Sequence, residues 1–118
     1  MANTTQYAQL NIGRGVGNDG VTMAADVWER FVGACVDALA YAARDPYAGI
    51  TRTEMAGRVE VHHGSGVWQG VREDSAHVSL FSEHGIDTGK LRDSVAELAY
   101  DYGQDAIALI VGSELITA

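Results

Sequence analysis

The chain has 118 residues, enough for one domain and too few for a second core of its own. Hydrophobic residues make up 47% and charged residues 20%, so an ordered core is expected and disorder as the main state is excluded. Eight Lys and Arg against sixteen Asp and Glu give a net charge of -8, which repels phosphate backbones and excludes general nucleic-acid binding. The longest apolar run, Ala106 to Val111, is far below the ~20 residues that cross a bilayer, and the N-terminus has no basic segment followed by an apolar one. A cytoplasmic protein without membrane contact is therefore expected. Cys35 is the single cysteine, so no internal disulfide forms.

Residues Tyr7 to Gly13 alternate, with Ala8, Leu10 and Ile12 on one side and Tyr7, Gln9 and Asn11 on the other, which predicts a strand with one face in a core. Four glycines with Asn18 and Asp19 between positions 13 and 20 stop it in a tight loop. Thr22 then caps a long amphipathic helix whose apolar stripe is Trp28, Phe31, Val32, Cys35, Leu39 and Ala42, with Asp26, Glu29, Arg30 and Asp37 opposite. Asp45-Pro46 marks its end, and 46–57 holds no period, so it reads as an insertion or surface excursion. Val59 and Val61 alternate with Arg58, Glu60 and His62 as a second strand, and Gly64-Ser65-Gly66 suggests a bend or bulge at its end. A third strand is centred on Val78 and Leu80. Asp87-Thr88 opens a second helix with Leu91, Val95, Leu98 and Tyr102 on one face, and Gly103 closes it. The run Ala106 to Val111 is apolar at every position, a pattern that predicts a strand covered on both faces.

The order β-α-β-β-α-β predicts an α+β, ferredoxin-like domain over residues 1–118, with a four-stranded antiparallel sheet and two helices on one face. By parity the other sheet face carries Tyr7, Gln9, His62, Phe81, Ala108 and Ile110, a surface too apolar for open water. A second subunit, giving a homodimer, or a ligand is expected to cover it.

Gly15 to Gly20 matches G-x-G-x-x-G between a strand and a helix, yet no short βαβ unit with a following acidic residue is formed. A plain turn and an anion contact beside Arg14 both remain open. His62 and His63 are adjacent and point to opposite faces of a strand, while His77 and His84 lack a partner at ligand spacing, so no metal or other cofactor is expected. Cys35 sits in an apolar stripe, where a thiol is inert. Trp68 precedes Arg72 and Glu73, an aromatic surface near a cation and a carboxylate. The structural alternative is a tryptophan covering the sheet edge beside a solvated ion pair.

Six short motifs occur in order: Ile12-Gly13-Arg14, Asp19-Gly20-Val21, Trp28 with Phe31, Gly64-Ser65-Gly66-Val67-Trp68, Arg72-Glu73-Asp74-Ser75 and Tyr102-Gly103-Gln104. Together they resemble a family of small uncharacterised bacterial and phage proteins with the pattern F-G-R-S, D-G-x-V, W-x-x-F, G-x-G-x-W, R-E-x-S and F-G-Q. The chain departs from it in having Gly15 where the family has serine, and in the 46–57 excursion. The resemblance implies a ferredoxin-like fold and carries over no catalytic residue. It singles out Arg14, Trp68, Arg72, Glu73, Ser75 and Gln104 as candidate ligand-binding residues, with structural roles as the alternative. The leading expectation is a non-enzymatic binding module for a small anionic or nucleotide-like molecule, of the kind a phage uses against a host signalling nucleotide. Arg14 and Arg72 would share the anion and Trp68 would stack on its planar part. One alternative is a metal-independent enzyme with Glu73 or a histidine as general base, and another is a structural or protein-interaction subunit.

Overall fold

The structure is a computed structural model that describes residues 5–16, 21–44, 50–68 and 70–112, with all of their side chains except those of Arg52, Trp68 and Val71. Four long strands, β1 (Thr5–Gly13), β4 (Val59–Trp68), β5 (Val71–Ile86) and β6 (Ala108–Gly112), form one antiparallel sheet in the order β4-β5-β1-β6. Between the first two lie a two-residue pair, β2 (Gly15–Val16) with β3 (Val21–Thr22), and the helices α1 (Ala25–Ala42) and α2 (Arg52–Ala56). A third helix, α3 (Thr88–Asp101), connects β5 to β6. The chain is thus α+β, as its periodicities predict.

Alternation sorts each strand into two sets. Ala8, Leu10 and Ile12 of β1 and Ala76, Val78 and Leu80 of β5 are buried under the helices, in one cluster with Phe31, Cys35 and Leu39 of α1 and Leu91 and Val95 of α3. Trp28 belongs to this core, edge-on to Phe31 at 6.1 Å between ring centres, and Phe31 stacks on Tyr102 at 4.7 Å. Asp87 caps α3 by accepting from the Lys90 N–H at 3.0 Å, and Gly103 follows that helix with φ +65°. The Asp87 carboxyl is held below its ordinary value, first by that backbone hydrogen bond.

Several expectations are corrected. Thr22 pairs with Gly15 in β3 and caps nothing, and α1 begins after Ala24, which offers no capping side chain. The helix ends at Ala42, and Asp45-Pro46 lies outside the described residues. The excursion contains α2, closed by a capping box in which Thr51 and Glu54 bond each other's backbone N–H, and it buries Met55 in the core. Gly64 and Gly66 make neither bend nor bulge, because the β4–β5 register runs without a shift from Val59↔Leu80 to Trp68↔Val71. The turn comes after them, at Gly70 with φ +78°. β6 is an edge strand whose Ile110 and Val111 stay 48% and 41% exposed, so it is not covered on both faces among the described residues.

Candidate functional site

The uncovered face of the sheet takes the residues of the opposite parity. Across it the register sets rows of paired positions: His62, His77, Asn11 and Ala108 form one, and Gly64, Ser75 and Gly13 the next. Gly66 then pairs with Glu73, whose side chain meets Gly15 on its other side. Glu73 and Ser75 therefore stand between glycines to left and right. A Cβ on Gly66 would meet nothing within 4 Å, and one on Gly64 would make only an ordinary contact with the Ser75 hydroxyl at 3.7 Å. On the β4 side, Gly64 and Gly66 leave bare backbone next to Ser75 and Glu73.

On the β1 side the glycines have a packing reason. The Glu73 carboxylate lies directly over the Gly13–Gly15 backbone, and a Cβ on either glycine would overlap its oxygens. Oε2 of Glu73 accepts the Gly15 N–H at 2.8 Å, and the Gly15 carbonyl accepts from Nε2 of Gln104 at 2.8 Å. These groups line a cavity of about 320 Å³ together with Asn11, Ser75, His77 and Asp105. Glu73 and Gln104 are half-buried there, and Asp105 and His77 are exposed. Two carboxylates line it, and no lysine or arginine does among the described residues.

The six candidate residues separate into two groups. Glu73, Ser75 and Gln104 come together in this cavity from three parts of the chain. Arg14 does not line it. Its guanidinium donates to Oδ2 of Asp74 at 2.8 Å and to the Met23 carbonyl at 2.7 Å, while its backbone bonds Asp74 and Met23 as well. Arg14 thus ties β1 to β5 and to the start of α1. Arg72 is exposed, pairs with Val67, and is not a lining residue. Trp68 pairs with Val71 at the end of β4, and its side chain lies outside the description. Residues 17–20 of the G-x-G-x-x-G match also lie outside it. Asn11, His77 and Asp105 also line the cavity and were not among the candidate ligand-binding residues; the β1–β5 register brings Asn11 and His77 beside Ser75, and Asp105 follows Gln104 in the segment between α3 and β6.

Among the described residues no group of three or more His, Cys, Asp or Glu is arranged to hold a metal ion, and no helix is long and apolar enough to cross a membrane. Burial pushes the Cys35 thiol up to about 12, which fits an inert core thiol.

The fold is shared with two solved structures. One is a phage SAM lyase in its apo state, with a TM-score of 0.60 and 20% identity, matched over 92% of this chain and 80% of that one. The other is a phage SAM lyase in complex with S-methyl-5′-thioadenosine, with a TM-score of 0.57 and 18% identity, over 96% and 84% of the two chains. At this identity the likeness is one of fold. No protein-family model and no curated protein matches the sequence.

Proposed function

We propose that the protein is a ferredoxin-like domain that binds an adenosyl thioether or sulfonium in the Glu73 cavity and acts as a lyase on S-adenosylmethionine. The observation that carries this reading is the charge of the cavity: Glu73 and Asp105 line it with neutral Asn11, Ser75 and Gln104, and no arginine or lysine lines it among the described residues. Such a lining repels a phosphate and attracts a cation, and the net charge of -8 adds to that field. S-adenosylmethionine carries a sulfonium and an ammonium, so the ligand proposed here is nucleoside-like but cationic where the sequence suggested an anion. The fold likeness to phage SAM lyases, one of them holding S-methyl-5′-thioadenosine, supports the same substrate class.

The proposed reaction breaks the bond between sulfur and the four-carbon amino-acid chain, with the electron pair staying on sulfur to give neutral S-methyl-5′-thioadenosine. The four-carbon fragment leaves as a ring closed by its own carboxylate, or as an alkene after giving a proton to a base; both balance without water. In this reading Glu73, the half-buried carboxylate of the cavity, holds the cationic end or takes that proton. Incubating the protein with S-adenosylmethionine and separating the products tests the reading. Methylthioadenosine forms with wild-type protein and not with Glu73→Gln, and mass spectrometry of the fragment identifies the route. Binding without product would return the protein to the class of non-enzymatic binding modules. Absence of both binding and product would overturn the proposal.

A second copy on the uncovered face is part of this reading. Tyr7 and Phe81 pack ring to ring at 5.5 Å there, with Phe81 49% and Ile110 48% exposed, an apolar patch beside the cavity. Sedimentation at micromolar concentration is expected to show an oligomer that Phe81→Ser weakens, and a wild-type monomer would remove this part of the reading.

A further inference from the structure

We infer that Gln104 is a positioning residue for Glu73 and acts through the Gly15 peptide groups; the inference rests on the reading of Glu73 as the carboxylate that holds the ligand. Gly15 is held at both ends: its N–H donates to Oε2 of Glu73 and its carbonyl accepts from Nε2 of Gln104, each at 2.8 Å. A carboxylate that reaches over bare glycine backbone has no side-chain wall to fix it, so its place depends on where the Gly15 N–H stands. That N–H is fixed only as well as the residue that carries it.

Gln104 supplies the fixing from a rigid origin. Its own N–H bonds the Ala99 carbonyl at 2.8 Å, which anchors it to the last turn of α3. Gly103 before it has φ +65°, and a Cβ there would overlap the Val16 side chain of β2, so the end of α3 lies directly against that side chain. The chain of contacts runs from α3 through Gln104 and Gly15 to the carboxylate. On the other side, Arg14 holds the same segment to Asp74 and Met23. Among the described residues the Gln104 side chain makes no further hydrogen bond.

The test is a double-mutant cycle with Gln104→Ala and Glu73→Gln in the full chain, read by S-adenosylmethionine affinity. Gln104→Ala is expected to weaken S-adenosylmethionine binding at least tenfold, towards the affinity of Glu73→Gln, and to have no further effect on affinity once Glu73 is glutamine. Gln104→Glu, which keeps the shape but presents an acceptor to the Gly15 carbonyl, is expected to behave as Gln104→Ala does. Equal effects of Gln104→Ala in both backgrounds, or none in either, would overturn the inference. A ligand-free arm keeps it testable should S-adenosylmethionine not bind: the Gly15 amide is expected to exchange with solvent at least tenfold faster in Gln104→Ala than in the wild type. Unchanged Gly15 exchange in Gln104→Ala would overturn the inference, whereas faster exchange without any ligand binding would fail the proposed function alone.

Discussion

The two faces of the sheet are made by the same strands and differ in what covers them. On the helix side Ala76 and Val78 of β5 are fully buried; their neighbours Ser75, His77 and Ser79 on the other side meet a cavity or solvent. The covered face is specified by volume and apolarity, since only close packing limits it. The uncovered face keeps glycines, two carboxylates and a glutamine amide around a cavity, and in the proposed reading these receive the ligand. The proposed function and the packing that stabilises the fold thus fall on opposite sides of one sheet, and each can be broken separately.

The largest effect is expected on the covered side. Leu10→Ala, at a fully buried position, should cost about 2–5 kcal/mol in denaturant unfolding, whereas Ser79→Ala across the sheet should stay within about 0.5 kcal/mol. Next comes the uncovered side, read by affinity. Glu73→Gln removes a charge-assisted contact of about 1.5–3 kcal/mol and should weaken S-adenosylmethionine binding roughly 10- to 100-fold, while Gly15 keeps an acceptor and the fold its stability. Gly66→Val sharpens the contrast further. A β-branched residue suits a strand, and a Cβ at this position meets nothing within 4 Å, so unfolding should be unchanged or slightly harder while ligand affinity falls about tenfold. Equal losses of stability and binding in that variant would show the glycine to be structural.

Much of the covered side was legible in the sequence. The stripes through Trp28, Phe31, Cys35 and Leu39 and through Leu91 and Val95 gave both long helices, and the alternation at Ala8, Leu10 and Ile12 gave β1. The length of β4 and β5 was not legible. Both strands run out past the helices, where Gly64, Gly66 and the polar stretch Arg72 to Ser75 have no core to face and so no apolar alternation. α2 is too short for a period, although Thr51 and Glu54 spell its capping box. In the site, the motif positions pointed to Glu73, Ser75 and Gln104. The role of Arg14 stayed hidden, because its partner Asp74 is sixty residues away and only the β1–β5 register brings the two together.

Two smaller effects belong to the covered side. The Cys35 thiol, with its pKa near 12, is almost all protonated at pH 8, so alkylation should proceed only as fast as the protein unfolds. The lowered Asp87 pKa stabilises the fold above the ordinary value of 3.8, and this contribution is lost as pH falls through the lower folded value. Asp87→Ala should therefore lower Tm at pH 7 and remove that part of the acid dependence.

The central claim is that the ligand sits on the uncovered face over Glu73. Amide chemical shifts recorded during titration with S-methyl-5′-thioadenosine test it most directly. Shifts concentrated at Gly13, Gly15, Glu73, Ser75 and Gln104, with the exposed sides of α1 and α3 unmoved, are the result expected. Shifts clustered instead along those helices, or around Arg72 with Gly15 and Gln104 still, would contradict it.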